Sequence, residues 1–102
     1  MAKYVVMYED ERQDQSNLTP DLLNGHVEFL KDLRSQGRLL LCGPLKSNGY
    51  MRGKGLLIFE ADSQKEVEGC VLKDPFIAQG WYAGYHIYEW VEANDSNNYL
   101  LN

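Results

Sequence analysis

Two short stretches, Leu39-Leu40-Leu41-Cys42 and Leu56-Leu57-Ile58-Phe59, are apolar at every position and bounded by glycine, proline and polar residues. Runs of this length between turn formers read as strands. Successive side chains of a strand point to opposite faces, so a strand that is apolar throughout is buried on both sides. The stretch Trp81 to Val91 repeats the pattern, with Tyr85 and Ile87 on one face and Tyr82, Tyr88 and Trp90 on the other. Any fold for this chain therefore has to cover both faces of one sheet.

The remaining elements limit what can serve as cover. Lys3 to Tyr8 reads as a first strand, followed by a polar loop from Glu9 to Asn17. A helix then opens with Thr19 as cap, Pro20 at the first helical position and Asp21 against the positive end of the dipole. Leu22, His26, Phe29 and Leu33 share one stripe, with Leu23 and Leu30 beside it, and Gly37 is the stop. Arg38 to Cys42 is a second strand ending at Gly43-Pro44. The segment Leu45 to Lys54 reads as a long hairpin loop, and Gly55 to Ala61 as a third strand. Ser63 with Glu66 forms a capping box that opens a second helix, closing near Lys73 before Pro75. With Trp81 to Val91 as fourth strand, the order is β-α-β-β-α-β. This is the α+β ferredoxin-like arrangement, a four-stranded antiparallel sheet with both helices on one face. The other face would be left as a large apolar patch, and a second copy of the chain is the simplest cover. Two sheets packed face to face give a homodimeric α/β barrel.

At 102 residues the chain is one domain, assigned to residues 1–93, with a polar tail over 94–102. Ten Lys and Arg are scattered among fifteen Asp and Glu, so no basic stripe matches a phosphate backbone and nucleic acid is not an expected partner. No apolar run approaches the roughly 20 residues of a membrane span, and the N-terminus reaches acidic residues before a signal-like stretch develops. No membrane association is expected, and the default location is cytoplasmic. Cys42 and Cys70 lack C-x-x-C spacing and read as reduced, mostly buried thiols.

Four segments occur in order: His26-Val27-Glu28-Phe29-Leu30, Gly37 through Leu45 with its Gly43-Pro44 step, Asp74-Pro75-Phe76-Ile77-Ala78-Gln79-Gly80, and Ile87-Tyr88-Glu89-Trp90. In these segments the chain resembles YCII-related (YciI-like) proteins from the first strand to Trp90. The resemblance implies membership of the dimeric α/β barrel superfamily and an active site built from the helix histidine and the aspartate of Asp-Pro-Phe, here His26 and Asp74. The chain departs from the pattern at Cys42, where a serine or other small residue often precedes Gly-Pro, and at Gly84-Tyr85-His86.

The two residues can be compared along their helices. His26 lies about 10 Å from the start of the first helix and Asp74 about 16 Å from the start of the second, an offset that side chains can bridge if the starts are level. A carboxylate accepting one ring N–H would fix the histidine tautomer and leave the other nitrogen to move a proton. The plain structural alternative is a core histidine and an aspartate that caps the turn before Pro75.

Gly43, Pro44, Phe76 and Arg52 are the candidate substrate contacts. Arg52 belongs with Lys46 and Lys54 to a local positive cluster suited to a carboxylate. His86 lies on the strand face of Tyr82, Tyr88 and Trp90 with no second histidine at ligand spacing, so no metal site is assigned. Gly49, Gly53, Lys54 and Gly55 miss the phosphate-loop spacing and precede a strand, which excludes that motif. No cofactor is implied. The expected function is a small cofactor-free enzyme, of isomerase, lyase or hydrolase type, in which His26 and Asp74 transfer a proton on a small organic molecule, acidic ones included. Two alternatives stand beside it: a non-catalytic metabolite-binding or accessory module, and a cofactor-free monooxygenase.

Overall fold

The computed structural model describes residues 1–14 and 17–99, with only the backbone of Arg52. Its elements are β1 (Ala2–Glu11), α1 (Pro20–Ser35), β2 (Leu39–Ser47), β3 (Tyr50–Ala61), α2 (Gln64–Val71), a short α3 (Pro75–Ala78) and β4 (Tyr82–Trp90), followed by a 3₁₀ turn at Asp95–Asn97. The four strands form one antiparallel sheet in the order β2-β3-β1-β4, which is the ferredoxin-like topology.

Local chemistry sets the helix ends. The Thr19 hydroxyl accepts from the Leu22 N–H at 3.1 Å with Pro20 opening α1, and Gly37 follows its end in the left-handed conformation at φ 74°. The Ser63 hydroxyl accepts from the Glu66 N–H at 3.1 Å, while the Glu66 carboxylate reaches back to the Asp62 N–H, one residue before the cap. Along β1, Tyr4, Val6 and Tyr8 alternate into the core and meet Leu57 and Phe59 of β3, Leu22 and Leu33 of α1, and Val67 and Val71 of α2. The opposite sheet face keeps its apolar side chains without cover from its own chain: Leu41 is 61% exposed and Tyr88 59%.

The long loop between the second and third strands does not form. β2 continues through Gly43-Pro44 to Ser47, and the hairpin closes on Asn48-Gly49 alone, with φ of 53° and 82°. Both residues have the positive φ that a two-residue turn of the I′ kind requires. Pro44 is tolerated because β2 is the outer strand, where a missing N–H need not interrupt a ladder, and the register slips between Pro44 and Lys46. The second helix ends at Val71 rather than near Lys73, and Asp74 caps α3, which is an extra short helix. Cys42 is exposed rather than buried, because it lies on the same outer strand; Cys70 is partly buried. Leu23 is likewise exposed. Tyr82 belongs to the core and not to the open face with Tyr88 and Trp90, its ring 5.2 Å from that of Tyr8. The regular alternation fails at this end of the sheet, where Asp10 takes a φ of 59°.

In the region of the expected tail, the Asn94 side chain caps the Asp95–Asn97 turn. Residues 100–102 lie outside the described residues.

Candidate active site

Gly25 lets α1 approach α3 closely, since a Cβ there would stand 3.3 Å from Pro75 Cγ. The next residue, His26, is thereby brought beside Asp74 at the cap of α3. His26 Nδ1 lies 2.8 Å from Asp74 Oδ1 and 3.0 Å from Oδ2. Asp74 is completely buried, and its carboxylate accepts from the Tyr8 hydroxyl at 2.7 Å and from the Phe76 N–H at 3.0 Å. With two donors already on that carboxylate, Nδ1 is the third donor, which leaves Nε2 as the basic nitrogen of the ring. Phe76 stacks flat on the imidazole, centroids 3.8 Å apart and planes 5° from parallel. Ring orientation is thus fixed by a hydrogen bond at one edge and an aromatic face at one side.

A cleft of about 130 Å³ opens beside this pair. His26, Leu30, Tyr8, Gly43, Pro44 and Leu57 are among the residues that line it. Gly55 and Tyr82 line it as well; a Cβ on Gly55 would lie 3.3 Å from the Tyr82 hydroxyl, so glycine keeps that space open. Burial, with the charge and hydrogen bond of Asp74 next in weight, pushes the Tyr8 hydroxyl far above an ordinary tyrosine pKa. Burial first, then the charges of Glu11 and Asp74, pushes Tyr82 up to about 12. Both remain neutral hydroxyls at physiological pH.

The residues singled out from sequence fall in different places. His26 and Asp74 are joined by a direct hydrogen bond, and Gly43 and Pro44 line the cleft beside them. Phe76 supports the back of the imidazole and is not among the lining residues. Arg52 lies on β3 rather than in a loop, and its side chain is outside the described residues. Lys54 and His86 sit on the open face, where Glu9 receives Lys54 Nζ at 3.2 Å and His86 Nε2 at 3.1 Å. The Lys54 hydrogen bond, with the charges of Lys54 and His86, holds the Glu9 carboxyl below the usual carboxylate range. Tyr8, Gly55 and Tyr82 escape a reading of the sequence. The only signal for Tyr8 is its place in the inward alternation of β1, and its bond to Asp74 spans 66 positions.

Among the described residues no group of three or more His, Cys, Asp or Glu side chains is placed to hold a metal ion.

The family model described as YCII-related domain matches residues 2–91. A search of curated proteins finds no match. Among solved structures, the chain is similar to 5-chloro-2-hydroxyhydroquinone dehydrochlorinase (TftG) from Burkholderia phenoliruptrix AC1100, in complex with 2,5-dihydroxybenzoquinone. The identity is 24%, the TM-score 0.65, and the match covers 86% of this chain and 93% of that one. It is also similar to an antibiotic biosynthesis monooxygenase at 10% identity and TM-score 0.53, covering 92% of this chain and all of the other. At these identities the likeness extends to the fold.

Proposed function

This chain belongs to the YCII-related domain family and has a ferredoxin-like fold, and we propose that it is a small-molecule enzyme of the dimeric α/β barrel superfamily in which His26 transfers a proton. The observation that carries the reading is the contact of His26 Nδ1 with the fully buried Asp74 carboxylate at 2.8 Å, beside an open cleft. A carboxylate so placed fixes one tautomer, stabilises the imidazolium once a proton is taken, and leaves Nε2 for the substrate. Asp74 orients and His26 acts. A buried ion partner with no cleft beside it would suit a structural role; the cleft is what favours chemistry.

The same reading includes a homodimer closed through the open sheet faces, because Leu41, Tyr88 and Trp90 are exposed there and a second apolar sheet of matching shape would bury them together.

A turnover screen of the full chain with isomerase, lyase and hydrolase readouts tests the chemistry. Turnover is expected to fall about 10²- to 10⁴-fold in His26→Ala, the usual worth of a general acid or base, with the circular dichroism spectrum of the folded chain retained. Wild-type turnover in that variant would remove His26 from the reaction. Small molecules that bind the cleft with no turnover of any would return the chain to the role of a binding module.

A further inference from the structure

The proton-transfer reading leaves open what faces the substrate oxygen, and Tyr82 answers it. This residue is only 8% exposed, yet its hydroxyl has no hydrogen-bond partner among the described residues and lines the same cleft as His26. Its ring is held in place by Tyr8 at 5.2 Å and Phe76 at 5.9 Å, and Gly55 keeps the space before the hydroxyl clear. Among the described residues no solvent-excluded side-chain oxygen lacks a partner, so this hydroxyl opens onto the cleft, where a ligand can accept from it.

The surroundings restrict the ligand. Glu11 and Asp74 both act on this hydroxyl electrostatically, so an anionic group beside it meets like charge. Apart from His26, none of the described lining residues is basic, and Leu30, Pro44 and Leu57 make the rest of the wall apolar. A volume of about 130 Å³ is close to the roughly 150 Å³ apolar cavity that accepts benzene.

Building on the reading of His26 as the proton-transfer group, we infer that Tyr82 is the substrate-facing hydrogen-bond donor for an uncharged, single-ring carbonyl compound with a removable α-proton. His26 Nε2 takes the α-proton, and the C–H electron pair becomes the carbon–carbon double bond of an enolate. The carbonyl π pair moves onto oxygen, where the Tyr82 O–H donates to it. Return of the proton from the imidazolium, to the same carbon or to one conjugated with it, completes exchange or isomerisation with no oxidant or reductant. This assignment replaces the acidic substrate suggested by the Lys46, Arg52 and Lys54 cluster with a neutral one.

The test follows α-proton exchange in D₂O by NMR with cyclohexanone, and with 4-oxocyclohexanecarboxylate as its charged counterpart. The full chain is compared with Tyr82→Phe and His26→Gln. Wild type should accelerate exchange of cyclohexanone and prefer it over the carboxylate. Tyr82→Phe should lose about 10²-fold, the usual worth of one donor to a developing oxyanion, and keep its melting temperature because the ring packing survives. Exchange abolished in His26→Gln but intact in Tyr82→Phe would overturn the role of Tyr82 alone, and equal rates on the two probes would overturn the preference for a neutral substrate. A wild type no faster than buffer, or than His26→Gln, would overturn the proton-transfer reading and this inference together.

Discussion

Removal of the Asp74 carboxylate strands three donors at once: the Tyr8 hydroxyl, the Phe76 N–H and His26 Nδ1. Each buried donor left without an acceptor costs about 1–3 kcal/mol, so Asp74→Ala should lose about 3 kcal/mol or more in urea unfolding. Tyr8→Phe, which removes only one bond to a charged acceptor, should lose roughly 1.5–3 kcal/mol. Equal losses in the two variants would mean that the carboxylate serves Tyr8 alone. The tyrosines give a second expectation, in pH. Tyr82 is pushed up to about 12 from an ordinary value of 10.0, and Tyr8 is raised as well. In the fold both stay neutral at a pH where the unfolded chain ionises. Their contribution is therefore fully present below pH 10 and is lost as pH climbs through the raised values. Urea midpoints measured from about pH 8 to pH 12 should fall more steeply for wild type than for a Tyr8→Phe, Tyr82→Phe double variant. Parallel declines would contradict the burial assigned to these hydroxyls. His26 and Asp74 are singled out in the sequence by the family resemblance, while their contact at 2.8 Å depends on the packing of α1 against α3. Tyr8 and Tyr82 look like ordinary strand residues, and only the register of β1 against its neighbours gives them a site to line.

The hairpin shows where element boundaries escape a sequence reading. Gly43-Pro44 carries the composition of a strand end, yet the edge position of β2 supplies the missing condition under which proline stays in a strand, and no local pattern encodes that position. The turn that does close the hairpin is Asn48-Gly49, a strong local signal diluted by Gly53 and Gly55 nearby. The helix starts, by contrast, are read correctly from Thr19-Pro20 and Ser63, because capping is a contact within one turn of helix. α3 was hidden for a related reason: its four residues are too few to show a period. If the two-residue turn sets the register, Gly49→Ala should destabilise the chain through backbone strain alone, since φ is 82° and nothing lies within 4 Å of the added Cβ. The expected loss is about 1–2 kcal/mol by chemical unfolding, the cost of a left-handed conformation with a Cβ. An unchanged midpoint would show that the hairpin relaxes to another turn.

For the molecule as a whole, the unresolved requirement is the open sheet face. Its apolar residues come from all four strands: Leu41, Val5 and Met7, Leu56 and Ile58, and Tyr88 and Trp90. Among the described residues no helix is long and apolar enough to cross a membrane. The face also carries Glu9 with Lys54 and His86, an ion group with both signs that a symmetry-related copy can meet without net repulsion. A charge introduced at Ile58 separates dimerisation from folding. Ile58 pairs with Val5 in the middle of the sheet, and its neighbours Leu57 and Phe59 are the ones that point into the core. Ile58→Asp should therefore leave the helix-side packing intact while placing a carboxylate in the centre of the proposed interface, where an unpaired buried charge costs several kcal/mol. Light scattering should give twice the 11.7 kDa chain mass for wild type and the single mass for Ile58→Asp, with an unchanged circular dichroism spectrum. A wild type that scatters as one chain at micromolar concentration contradicts the paired barrel, whereas a variant that still pairs places the interface on some other surface.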